Sequence, residues 1–162
     1  MFLKDGGDLV FSAHHGPIPI NIDRVPINRQ WVTGRALVDR APQHVHDLDG
    51  PEGDIFPQGR ALARLQGQRT VLSVPLLQEG EAIGVISLRR IEVQPFNDKQ
   101  VALLESFADQ AVIAIENVRL FDEVQAKTRD LEESLQQQTA TSEVLQVISS
   151  SPGDLVPTFL GS

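Results

Sequence analysis

The chain has 162 residues, is 41 % hydrophobic and contains no cysteine. That length suits one ordinary domain plus an extension, and the absence of thiols excludes disulfides, thiolate catalysis and thiolate metal sites within it. A formal net charge of -8, with a pI near 4.9, makes it a poor partner for nucleic acid or an anionic membrane surface, whose phosphates it repels.

Residues 1 to about 96 hold nearly all the glycine and proline. The start, "MFLKDGGDLVFSAHH", reads as a hairpin: a strand from Phe2 to Lys4, a turn at Asp5-Gly6-Gly7-Asp8, and a strand from Leu9 to His14. It has no apolar signal core, and no run in the chain approaches the ~20 apolar residues of a bilayer span. The expectation is a soluble, cytoplasmic chain without membrane insertion. A short helix follows from about Val32 to Arg40, with Thr33 as its cap and Gly34 weakening it. His44 to His46 reads as a short strand, and "QGRALARLQG" as a second short helix ending near Gly67.

The stretch "RTVLSVPLLQEGEAIGVISLRR", residues 69 to 90, reads as two strands around a turn containing Gly80. Both strands are apolar on both faces, so each face of the hairpin needs a cover. Pro75 sits inside a strand that otherwise reads as central. It removes a ladder donor there and implies a bulge or an edge position.

From Asn97, a plausible cap, to about Ile148 there is neither glycine nor proline. A helix of that length runs roughly 75 Å, wider than a single-domain core, and is expected to leave its domain. Val101, Leu104, Ala108, Val112 and Ile115 form one apolar stripe; Phe107, Ala111, Ala114, Val118 and Phe121 form another. Two apolar faces imply two partners, a sheet and a second copy of the helix. Beyond Phe121 the apolar residues thin to a seam at Val124, Leu131, Leu135 and Leu145, with polar fillers such as Thr128, Gln138 and Ser142. That seam reads as a weak coiled coil, or alternatively as a solvated, fraying single helix. Ser149 to Pro152 is expected to stop the helix, and Asp154 to cap a further turn.

No Walker A loop, G-x-G-x-x-G, H-E-x-x-H or G-x-S-x-G occurs, and no spacing singles out a catalytic triad. His44 and His46 share a face if extended, with Asp47 and Asp49 close behind. They can be read as ligands for a metal or haem iron, or as solvated imidazoles on a polar edge. The spacing matches no closed structural metal site, and no metal is assigned. Trp31, the single tryptophan, caps the core or floors a pocket. Arg60 and Arg64 share a helix face, which meets either an anionic ligand or solvent.

The order "RTVLSVPLLQEGEAIGVISLRR", then "PFNDKQVALLESFADQAVIAIENVRLFDEV", resembles the C-terminal half of a GAF domain. Pro75, Gly84, Phe96, Asp98, Ala111, Ala114, Ile115, Asn117 and Leu120 occupy the positions of that family's pattern. "WVTGRAL" resembles its S-V-T-G-R-V segment, with Trp31 replacing a small residue. The resemblance covers roughly residues 1 to 126. It implies an α+β fold: a PAS-like antiparallel sheet with the long helix on one face and short helices and loops closing a cavity over the other. Candidate lining residues are Trp31, His44, His46, Phe56, Arg60, Arg64, Ser73 and Pro75.

The same resemblance implies a non-catalytic sensory module of bacterial signalling, upstream of a histidine kinase or nucleotide cyclase domain. The family's cyclic-nucleotide signature is not present. Without cysteine a covalent bilin is excluded, and so is the cysteine chemistry of methionine sulfoxide reduction, which a GAF-like fold hosts. The family's opening helix has no counterpart before Met1, and the tail "TSEVLQVISSSPGDLVPTFL" resembles such a helix of a following domain. The expected division is therefore 1–122 sensory domain, 123–148 signalling helix and 149–162 the start of a next module. The expected oligomer is a homodimer through Phe107, Ala111, Ala114, Val118, Phe121, Val124, Leu131 and Leu135, with a helix-swapped version as a variant. No resident cofactor is expected; an unidentified small ligand is, or else a ligand-free spacer whose cavity its own side chains fill.

Overall fold

The computed structural model describes residues 1–150, so the expected cap at Asp154 lies outside the described residues. One compact unit spans Met1–Ile115 and a second begins at Glu116. In chain order the elements are β1 (Phe2–Asp5), β2 (Asp8–Phe11), β3 (Arg24–Pro26), α1 (Val32–Asp39) and β4 (Gln43–Val45). Then follow a 3-10 turn at Pro51–Ile55, α2 (Pro57–Gln66), β5 (Thr70–Gln78), β6 (Glu81–Arg90) and α3 (Asp98–Ser150). The strands make one antiparallel sheet in the order β3-β2-β1-β6-β5-β4.

The β5–β6 hairpin is central and covered on both faces. Leu72, Val74 and Leu76 alternate onto the face where Leu104 and Ala108 of α3 pack, together with Phe96. Val71 points the other way, toward Val32 of α1 and Ala63 of α2. Val85 and Ala82 of β6 meet Ala36 and Leu37 of α1 on that second face. The turn between the strands holds both Glu79 (φ 51°) and Gly80 (φ 80°) in the left-handed region, as two-residue hairpins of matching twist require.

Pro75 pairs with Val85 on β6, while β4 reaches only as far as Ser73 on the opposite side. One flank of β5 is therefore without a strand at Pro75, and the register shifts just beyond, between Leu76 and Leu77. Both the edge and the irregularity fit a residue that cannot donate to a ladder.

The structure differs from these expectations at four local points. β3 was not foreseen, because three residues ending in Pro26 carry no strand period; they pair at the sheet's outer edge, where proline is tolerated. The α1 cap is Trp31, in extended backbone and with no side-chain hydrogen bond, so Thr33 does not cap it. β2 ends at Phe11 rather than His14, and β4 ends at Val45, leaving His46 just outside the ladder.

The start of α3 follows from a reciprocal cap. Asn97 Oδ1 accepts from the Gln100 backbone N–H at 2.9 Å, and Gln100 Oε1 accepts from the Asn97 N–H at 3.0 Å. Of the first apolar stripe, Leu104 and Ala108 are buried, and Val101, Val112 and Ile115 pack partly buried against the same cluster.

Gly34 in α1 sets up a clear test. Helix propensity favours alanine over glycine by about 1 kcal/mol. A Cβ on Gly34, however, would lie 2.1 Å from the Asn28 carbonyl oxygen, a backbone atom that cannot swing aside. Gly34→Ala is expected to destabilise the domain by about 1–3 kcal/mol, the usual range for overpacking. Urea unfolding would read this as a lower midpoint at unchanged slope.

Candidate functional site: a cavity between the sheet and the short helices

The face of the sheet away from α3 is not filled completely. A cavity of about 70 Å³ is bounded by the sheet, α1 and α2, and Trp31, Leu62, Gln66 and Arg89 are among its lining residues. A wider, more open cleft of about 420 Å³ runs along the segment from Ala13 to Ile18. Phe2, Ile20, Ser87 and Arg89 line both, so these four form a shared wall. The cleft is there because β1 pairs only Phe2 and Leu3 with β6, leaving the Ser87–Arg90 end of β6 beyond that neighbour.

The polar groups of the cavity are unevenly satisfied. The Trp31 indole Nε1–H is buried and has no acceptor. Ser87 and Ser73 share a cross-strand hydrogen bond, Oγ to Oγ at 2.6 Å. Gln66 Oε1 accepts from Gln68 Nε2 and, at 3.5 Å, from Arg89 Nη1. Arg89 is half-buried, and desolvation pulls its pKa below the usual arginine value.

Of the residues expected to line a pocket, Trp31 lines this cavity. Ser73 touches it only through its bond to Ser87. Phe56 is core, packed with Val45, Leu48 and Ala63, and Arg35 lies over its ring at 5.1 Å. Arg60 is a loop staple: its guanidinium donates to the carbonyls of Leu48 and Gly50 and to Asp54. Arg64 pairs with Asp49 at 2.7 Å, on the surface. Arg69 completes the set with two bonds to Asp47, both 2.7 Å, and this pairing pulls the Asp47 carboxyl down to about 2. Three arginines thus hold the loop from Asp47 to Asp54. Pro75 is buried in β5 and is not among the cavity's lining residues.

His44 and His46 are brought together, with ring centroids 4.6 Å apart, but they do not line the cavity. His44 Nε2 accepts from the Phe96 backbone N–H at 3.1 Å, and His46 is exposed beside Glu52. Among the described residues no group of three or more His, Asp or Glu side chains is arranged to hold a metal ion.

Arg89, Gln66, Gln68 and Ser87 were not singled out from the sequence. One signal was available: a period of two from Val85 puts Ser87 and Arg89 on the face toward the short helices. That a charged side chain sits in register with a core valine is the cue that apolar counting passes over.

The His44 bond has a pH consequence. An accepting Nε2 must be unprotonated, and burial followed by the neighbouring His46 charge lowers the His44 pKa from 6.5. A depressed folded pKa gives stability that is full above the unfolded value and lost as pH falls through the folded one. The urea midpoint is therefore expected to fall as pH drops below 6.5. His44→Gln, whose amide oxygen still accepts, should flatten that fall; identical pH profiles for both proteins would refute the assignment.

Residues 1–116 match the family described as GAF domain. Among solved structures, the free methionine-R-sulfoxide reductase from Neisseria meningitidis, in complex with its substrate, is similar at 24 % identity and a TM-score of 0.61. The alignment covers 74 % of this chain and 66 % of that one. Residues 122 to 287 of a methyl-accepting chemotaxis protein align at 25 % identity and 0.61, over 74 % and 77 % of the two chains. The GAF domain of a phosphoenolpyruvate-protein phosphotransferase from Coxiella burnetii aligns at 19 % and 0.58, over 74 % and 71 %. This chain spans about two thirds of the reductase's length, and likeness at such identities carries the fold rather than an activity. The match over most of the chain, on a six-stranded antiparallel sheet backed by a long C-terminal helix, makes the chain a member of the GAF domain family.

Proposed function

We propose that the chain is a non-catalytic sensory module of a bacterial signal-transduction protein. It binds a small molecule between the sheet and the short helices and passes the signal through paired copies of α3 to a downstream kinase or cyclase domain. The observation that carries this reading is the cavity itself, lined by Trp31, Ser87, Arg89 and mostly apolar side chains. No resident cofactor is assigned. The sulfoxide chemistry of the reductase neighbours uses cysteine, which this chain lacks.

Pairing is supported by what α3 leaves uncovered. In the first unit Phe107 and Ala114 are exposed, while Ala111 turns partly toward the sheet. In the second unit Val118, Phe121, Val124, Leu131 and Leu135 are each about 60 % exposed. Apolar residues at helical spacing on one side of a charged helix are the pattern of a seam with a second copy. Packed helix pairs have discrete arrangements, so a change at the cavity biases one arrangement over another.

The second reading is a ligand-free spacer, favoured by the small volume, since ligand sites usually exceed about 300 Å³. Native mass spectrometry separates the two. A dimer carrying a small mass lost on denaturation is expected; a bare dimer favours the spacer, and a monomer overturns the paired-helix mechanism. Replacing both Val118 and Phe121 by Glu is expected to weaken the dimer at least about tenfold, because each lost apolar contact is worth about 1.5–3 kcal/mol. Trp31 fluorescence should be unchanged in that variant, and light scattering reads its mass.

A further inference from the structure

Arg89 differs from the other arginines of its unit. Every arginine from Arg24 to Arg69 lies within salt-bridge distance of a carboxylate. Arg90 donates to the carbonyls of Gln94 and Pro95 and lies 4.0 Å from the Phe96 ring centroid. Arg89, half-buried in the wall of both hollows, has only the long bond to Gln66, and no carboxylate among the described residues reaches it. The nearby Met1 α-amino group adds positive charge: Arg89 lowers its pKa, second to burial, and the amine donates to the Ala13 carbonyl at 2.6 Å. In a chain of net charge -8, this half-buried cation has no carboxylate against it among the described residues.

An unpaired, partly desolvated guanidinium is unfavourable unless an anion meets it. Most of the other walls are apolar, including Phe2, Ile20, Ile22 and Leu62. The hollow, about 70 Å³, suits a small ligand. A single guanidinium in an acidic chain suits one negative charge better than a phosphate dianion.

We infer that the cavity takes a small monoanion, a carboxylate on a short apolar chain, with Arg89 as its counter-ion. This rests on the sensory reading and narrows its ligand class. Arg89 is here a binding residue, and with no carboxylate partner among the described residues its guanidinium is available to the ligand.

Trp31 is the single tryptophan and lines the cavity, so its fluorescence reports occupancy directly. The test titrates the chain with butyrate and with butyramide, its uncharged analogue, and repeats both on Arg89→Gln. A saturable change with butyrate, little or none with butyramide, and an affinity lowered about tenfold or more in Arg89→Gln is expected. Equal responses to butyrate and butyramide, or an Arg89→Gln variant that binds butyrate as the native chain does, overturns the anion assignment and leaves the sensory reading standing. No response to either also overturns it, and the mass measurement above then decides the sensory reading separately. Arg89→Gln should melt no lower than the native chain, because it removes an unpaired charge. If that variant fails to fold, the butyrate and butyramide comparison on the native chain still decides.

Discussion

A β-hairpin that is apolar on both faces cannot rest on water on either side, and the rest of the first unit is arranged around that condition. Leu72 and Leu76 are fully buried on one face and Val85 on the other. Each such side chain contributes about 1.5–3 kcal/mol when removed from water. Covering the first face requires a long apolar helix surface, which the early turns of α3 supply. Covering the second requires elements short enough to sit within the width of the sheet, which α1 and α2 supply. The two covers differ in quality. The helix side packs densely, whereas two short helices joined by a long polar loop leave a gap.

Charge pairs hold the loop beside that gap, together with the buried Leu48 and Phe56. Arg60, Arg64 and Arg69 hold the loop between β4 and α2 through Asp54, Asp49 and Asp47. Surface pairs of this kind are individually weak. Here they act as a set with carbonyl contacts from Arg60, and a loop of Asp, Gly and Pro has few apolar residues to do the same work. The loop beside the cavity thus carries a set of ionic contacts, whereas Arg89 at the strand end has none among the described residues. Binding sites commonly retain such locally unfavourable groups because the ligand, not the fold, completes them.

The capping box at Asn97 and Gln100 links this unit to α3 in sequence. It sets where the helix begins, and so which residues face the sheet. With Leu104 and Ala108 turned inward, helical geometry leaves Phe107 outward. The inward stripe ends at Ile115, the last residue of the first unit. Beyond it no described residue of the second unit is buried: those from Val118 to Ser150 are exposed, and charged side chains pair along the helix, as Arg119 does with Glu116 and Glu123.

The sequence by itself determined the elements whose signal is local. The central hairpin, the turn at Gly80, the cap at Asn97, the uninterrupted helix and its sheet-facing stripe all follow from periodicity, turn chemistry and the absence of breakers. Arg60 and Arg64 were legible as a shared helix face, but not as loop staples, because their acidic partners lie on a separate loop. Only the tertiary structure decided which polar groups were left over. His44 is tied to Phe96, 52 residues away, and Arg69 to Asp47, 22 residues away. Trp31 and Arg89 were left facing a common hollow. Partnership at such separations depends on how strands align in three dimensions, which residue-by-residue pattern does not encode. That Arg89 lacks a carboxylate becomes visible only once the partners of the other arginines of its unit are placed.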